Sequence, residues 1–185
     1  MITTILSNAD RVATPWKNGG GVTREIAVWP PGADLDDFDW RISMAEVRDP
    51  GAFSVFPEVD RWLTVLEGSL ALTFDGGAPA FLDARSDPFV FPGDRPCHGA
   101  PVGGPVLDLN LMVRRGRFAG RVDRIEDSAW RPSGQTAFLI ALERLAVGAE
   151  TLNRFDALCF TEIEPNETPP LHVGGRALAV SLDAL

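Results

Sequence analysis

The sequence predicts an all-β protein built from two antiparallel barrel-like halves packed as one unit. Three observations carry that expectation. Short apolar or alternating runs of about 4–8 residues recur along the chain, which is strand length and strand patterning. Eighteen glycines and 15 prolines punctuate them, a density that suits many turns and few helices. Helical periodicity is weak throughout, with at most one turn expected over 123–129. Strands without helices leave a sandwich or a barrel.

Residues 1–10 have no basic lead and no useful apolar run, so no secretory start is expected. Pro15-Trp16-Lys17-Asn18-Gly19-Gly20-Gly21 follows. Three successive glycines permit positive φ and close backbone approach, which suits either an anion-binding nest of N–H groups or a tight turn. Trp16 is read as core. Lys17 is the single lysine among 17 basic residues. A lysine kept where arginine prevails suits a position that needs a compact ammonium on a flexible stem; the alternative is that one lysine survives by chance.

The run 40–47 is the first clear strand. Alternation puts Arg41, Ser43 and Ala45 on one face, with Trp40, Ile42 and Met44 on the other. Runs 61–66 and 69–74 flank a Glu67-Gly68 turn, and 88–91 leads into Pro92-Gly93-Asp94, with His98 beyond. In 106–113, Asp108, Asn110 and Met112 share a face opposite Leu107, Leu109 and Leu111. Both polar-faced strands fit the wall of a barrel whose lumen takes the polar side, with Arg61 joining them. The alternative is an outer Arg41–Asp108 ion pair, with Asn110 at an edge. Runs 136–142, 157–163 and 177–182 complete the strands, with 164–170 as a long polar turn and His172 structural.

Arg114, Arg115, Arg117, Arg121 and Arg124 mark the clearest internal boundary. Residues 1–116 are expected to form a first half carrying the polar motifs, 117–133 a connector, and 134–185 a second, degenerate half to which N-terminal strands can contribute. The arginine cluster reads as a local salt-bridge surface or, alternatively, as a protein-docking face. A formal charge of −9 weighs against nucleic acid as a partner. No apolar run approaches the ~20 residues of a spanning helix. Cys97 and Cys159 form no CxxC pair, which argues against a disulfide scaffold or cysteine-bound zinc. The expectation is a cytoplasmic protein without a membrane partner; a homodimer is compatible with it.

The stretch 55–69 and Phe91-Pro92-Gly93-Asp94 resemble the two cupin motifs. Seven residues before Gly68, where a cupin carries its glutamate ligand, stands Arg61. None of residues 54–57 is histidine, and His98 is displaced from its place by about two residues. A transition metal needs three or four converging N, O or S donors, so the metal site is read as lost and no cofactor is expected.

Pro15 to Gly21, Thr23-Arg24-Glu25-Ile26, Trp40 to Ala45, Gly51 to Pro57, Arg61 and Asp108 to Met112 with Arg114-Arg115-Gly116 are, in that order, similar to the signature of the HutD/Ves family. They cover roughly residues 12 to 116. One departure is Glu58, where the family usually has glycine. The resemblance implies a cupin-like fold, an RmlC-like jelly roll, and an association with histidine utilisation.

No GxSxG, HExxH, Walker or GxGxxG motif is present, and the chain has no tyrosine. The expected site is a mostly positive or amide set, Lys17, Asn18, Arg41, Ser43, Arg61, His98, Asp108 and Asn110, binding a small anionic metabolite and performing no catalysis. The family context implies a formylated or formimino glutamate or urocanate. The alternatives are a metal-independent isomerase or lyase using Lys17 or His98 with Asp108, and an interaction module using Arg114 to Arg124.

Overall fold

The computed structural model describes residues 1–17, 19–164 and 168–185. The strands are β1 (Ile2–Leu6), β2 (Ala13–Pro15), β3 (Gly21–Trp29), β4 (Trp40–Val47), β5 (Gly51–Ala52) and β6 (Val59–Glu67). Next come β7 (Ser69–Phe74), β8 (Ala80–Asp83), β9 (Phe89–Pro92), β10 (Cys97–Pro101) and β11 (Val106–Arg114). The last are β12 (Phe118–Trp130), β13 (Thr136–Ala141), β14 (Leu145–Val147), β15 (Glu150–Leu152), β16 (Ala157–Thr161) and β17 (Leu171–Ala184). A single 3₁₀ turn, Asn8–Asp10, is the one helical element among the described residues. The fold is all-β and cupin-like, and the chain divides into two compact units.

The first unit, Val12–Arg115, is a jelly roll of two antiparallel sheets, β2-β3-β4-β11-β6-β9 and β5-β10-β7-β8. Leu63, Val65 and Phe91 of the larger sheet pack with Leu70, Leu72, Leu82 and Cys97 of the smaller one, which identifies the facing surfaces. The second unit, Met1–Arg11 with Gly116–Leu185, is built on the order β1-β16-β13-β17-β14-β15, with β12 paired to β17. Its core gathers Leu139, Leu152, Leu158, Phe160 and Val173.

The N-terminal strand pairs within the second unit, and the expected connector is not a loop. Residues 1–11 lie with the C-terminal strands, because Ile2 to Leu6 pair with Thr161 to Ala157 and the Asn8 amide donates to Asp156 at 2.8 Å. The expected connector at 117–133 is mostly strand: β12 runs antiparallel to β17 from Phe118↔Ala184 to Trp130↔Leu171, and this also replaces the helical turn expected over 123–129. Val122 is the one buried residue of β12, so the segment lacks the apolar alternation that marks a strand. The turn at 164–170 falls partly outside the described residues.

Candidate functional site

The facing surface of the large sheet is set by register. Asn110 of β11 lies between Ser43 of β4 and Leu63 of β6, and Met112 lies between Arg41 and Arg61. Directly opposed residues of antiparallel strands share a face. Leu63 packs against the smaller sheet, so Arg61, Asn110, Asp108 and Ser43 line the lumen. The opposite side chains, Ile42, Leu109 and Leu111, are also buried. Along β6 the order Val59, Arg61, Leu63, Val65 runs from one apolar cluster to another. Val59 and Met112 pack with Phe38, and Leu63 and Val65 belong to the inter-sheet core. Arg61 therefore sits as a cation between two apolar ends.

Arg61 is 6% exposed. Its Nη2 donates to Asn110 Oδ1 at 2.7 Å, and Asn110 Nδ2 donates in turn to Asp108 Oδ1 at 2.5 Å. The amide thus spaces the guanidinium from the carboxyl, turning its oxygen to the one and its NH₂ to the other. Nη1 reaches the Ser54 carbonyl only at 3.5 Å, and Nε has no partner. The rings of Phe91, Phe53 and Phe56 surround the guanidinium carbon at 5.0, 5.6 and 5.7 Å, within cation–π range. Burial pulls the Arg61 pKa below its ordinary value, and the group stays protonated. Asp108 is buried, and its Oδ2 has no hydrogen-bond partner. Desolvation pushes its pKa up to about 7 against the opposing pull of Arg61 and Asn110.

The remaining predicted residues are distributed differently. Arg41 shares the lumen face but gives its Nε to Glu25 at 2.8 Å and its Nη1 to Ser43 Oγ at 3.3 Å. The proposed outer Arg41–Asp108 pair is therefore replaced by Arg41–Glu25. Lys17 is exposed on the β2–β3 hairpin, closed by Gly19 N–H to Trp16 O at 3.0 Å and Trp16 N–H to Gly21 O at 2.9 Å. Asn18 lies outside the described residues. His98 is exposed, because β10 turns Cys97 and Gly99 inward opposite Phe74 and Leu72 and sends His98 outward. The acid–base partnership of Lys17 or His98 with Asp108 is not assembled.

Sequence reasoning missed Cys97, Phe53, Phe56 and Phe91, the actual neighbours of Arg61. Counting alternation in 97–101 against the buried partners of β7 would have placed Cys97 inward and His98 outward. Among the described residues, no group of three or more His, Cys, Asp or Glu side chains could hold a metal ion. The cupin metal does not fit a lumen whose glutamate position carries a guanidinium.

The arginine cluster is internally engaged. Arg114 donates to the carbonyls of Phe38 and Asp36, Arg115 bridges Asp94 and Asp60, and Arg121 pairs with Asp123. Arg117 and Arg124 also have partners.

A family model described as HutD matches residues 8–178. A Pseudomonas putida protein described as an uncharacterized 21.2 kDa protein in the hutC 3′ region is 31% identical over 183 residues, 96% of each chain. Protein Ves of Cronobacter sakazakii is 42% identical over 113 residues, and that match spans 60% of this chain and 60% of the relative. A structure of HutD from Pseudomonas fluorescens SBW25, from a formate condition, is 29% identical, with a TM-score of 0.89 and full coverage of both chains. A conserved Pseudomonas aeruginosa protein of unknown function is 31% identical with a TM-score of 0.86, covering 99% of this chain and 100% of that one. No helix among the described residues is long and apolar enough to cross a membrane.

Proposed function

This chain belongs to the HutD family, and from that premise we propose that its Val12–Arg115 unit is a metal-free barrel that binds a small carboxylate-bearing metabolite in a sensing or regulatory role. The observation that carries this reading is Arg61. It is a buried cation with a free Nε–H, and no carboxylate of a described residue pairs with it. A buried charge without an ionic partner costs several kcal/mol, and an anion entering the lumen offsets that cost. A planar guanidinium with unused N–H groups suits carboxylate, which it can grip through two parallel hydrogen bonds. The hut-region location printed for the Pseudomonas putida relative supports a ligand from histidine degradation. Formylated or formimino glutamate and urocanate all carry the required group.

A thermal-shift screen of the purified chain against these metabolites tests the reading. A ligand at about 100 times its Kd raises stability by about 2.7 kcal/mol. Arg61→Ala should weaken binding by about 1.5–3 kcal/mol, the range for a hydrogen bond to a charged group. Because Arg61 is buried, the substitution also costs fold stability, so affinity is read on protein whose circular dichroism matches the parent. Arg61→Lys keeps the charge and should recover only part of the affinity, since the planar fork is lost. The reading fails if none of these carboxylates raises the melting temperature, or if Arg61→Lys binds as well as the parent.

A further inference from the structure

The lumen holds a second unsatisfied group that the Arg61 reading does not use. Asp108 is 1% exposed, and its Oδ1 accepts from Asn110 while its Oδ2 has no partner. An ionised carboxylate offers about four acceptor sites, and here one is used. Its surroundings give little compensation. Across β11 it faces Ala45 of β4 and Val65 of β6, and Thr23 of β3 follows beyond Ala45. Leu70 and Leu72 of β7, with Cys97 of β10, come from the opposite sheet. Arg61 and Cys97 are the titratable or charged groups in this set; Glu25, in the Ser43 row, is held by Arg41. Arg41 shares this face but is already paired with Glu25, so the lumen provides one cation that no carboxylate holds. If Asp108 were ionised, an incoming carboxylate would bring a second negative charge to a single guanidinium.

We propose that Asp108 serves the ligand as a neutral acid, its Oδ2–H donating to the bound carboxylate beside the Arg61 guanidinium, so that each anion enters the lumen with one proton. This rests on the reading of the unit as a carboxylate binder. The orphaned oxygen becomes a donor, the site carries one positive and one negative charge, and Asn110 keeps its bonds to both neighbours. The raised Asp108 carboxyl, near 7 in the free protein, agrees with this. A nearby anion raises it further, so proton uptake accompanies binding wherever the free group is ionised. Affinity should be nearly flat below about pH 6 and then weaken by up to about tenfold per unit above about pH 7.

The test is calorimetric titration of the full chain with sodium formate, a probe ionised throughout this range. It is run at about pH 6 and about pH 8.5, in phosphate and in Tris. The expected affinity at the higher pH is lower by roughly thirtyfold, and the binding heat there differs between the buffers by about one proton's ionisation enthalpy. Asp108→Asn, whose amide replaces the O–H donor with a group that does not titrate, should lose both the pH dependence and the buffer dependence of the parent. Equal affinity at both pH values with no buffer dependence overturns the role of Asp108 and leaves the Arg61 reading standing. Affinity that rises with pH overturns it in favour of an ionised acceptor. Absence of formate binding at both pH values overturns this inference and the carboxylate reading together. If Asp108→Asn does not fold, the parent titrations decide alone.

Discussion

Asp108 also ties the stability of the free protein to pH. Its carboxyl is raised to about 7 by burial, whereas an unfolded aspartate titrates near 3.9. Between those values the native state holds a proton that the unfolded chain has released. The stabilising contribution is therefore fully present below about pH 4 and is lost as pH rises through about 7, with a slope of at most roughly 1.4 kcal/mol per unit. Urea unfolding across that window should show Asp108→Asn gaining on the parent as pH rises, most of all near pH 8. Glu58 supplies a second residue-scale prediction. It sits at φ 60°, the left-handed conformation that the family meets with glycine. A side chain there costs about 1–2 kcal/mol, offset in part by glycine's greater unfolded-state entropy. Glu58→Gly should stabilise by about 0.5–1 kcal/mol in denaturant melts. At this scale the sequence was informative where a side chain lay on a regular strand. Arg61, Asn110, Asp108 and Ser43 follow from alternation, and all four face the lumen. Lys17 rests instead on composition, and His98 on distance from a motif, neither of which fixes a direction. Both are exposed.

Strands and their crossings explain how Arg61 is enclosed. Between Leu107 and Asp108 the β11–β6 register shifts, leaving Leu66 as the extra residue of a bulge beside the buried carboxyl. The Pro92-Gly93 turn then crosses the end of β6. The Gly93 N–H donates to the Val59 carbonyl at 2.6 Å, and the Phe56 N–H donates to the Gly93 carbonyl at 2.8 Å. A Cβ on Gly93 would lie 2.9 Å from the Val59 carbonyl oxygen, 3.0 Å from that of Phe56 and 3.4 Å from Arg61 Cδ. Gly93→Ala should therefore cost about 1–3 kcal/mol by overpacking, and it should weaken formate binding because Phe56 shifts over the guanidinium. A melting temperature and affinity equal to the parent's would contradict this account of the turn. Glycine in a turn was legible as such; the two carbonyls that exclude a Cβ belong to a crossing that no local pattern reveals. The same holds for β12 and β17. Burial in β12 is confined to Val122, and Gly174-Gly175 interrupts β17, so only its 177–182 portion carries a continuous apolar run.

For the whole molecule, the chain ends matter as much as the motifs. Strand β1 joins β16 in the unit completed by the C-terminal residues, and Asp156 fastens the join. Its Oδ1 accepts from Asn8 N–H at 2.8 Å and its Oδ2 from Asn153 N–H at 2.9 Å, with the residue 6% exposed. Asp156→Ala leaves both amides without this partner and should destabilise by about 1.5–3 kcal/mol, read as a lower denaturation midpoint. A strand pairing between residues 2–6 and 157–161 spans nearly the whole sequence, so a linear boundary at residue 116 leaves the contribution of the N-terminal strands to the second half open. A net charge of −9 gives an anion no long-range attraction, so recognition rests on the local field of Arg61. Nitrogen-15 NMR of the arginine Nε–H groups during a formate titration tests that claim most directly. The resonance absent from Arg61→Lys should shift saturably, because Nε is buried and unpartnered in the free protein. If that resonance stays fixed while the exposed arginines drift in proportion to added salt, the lumen of this barrel does not hold a carboxylate.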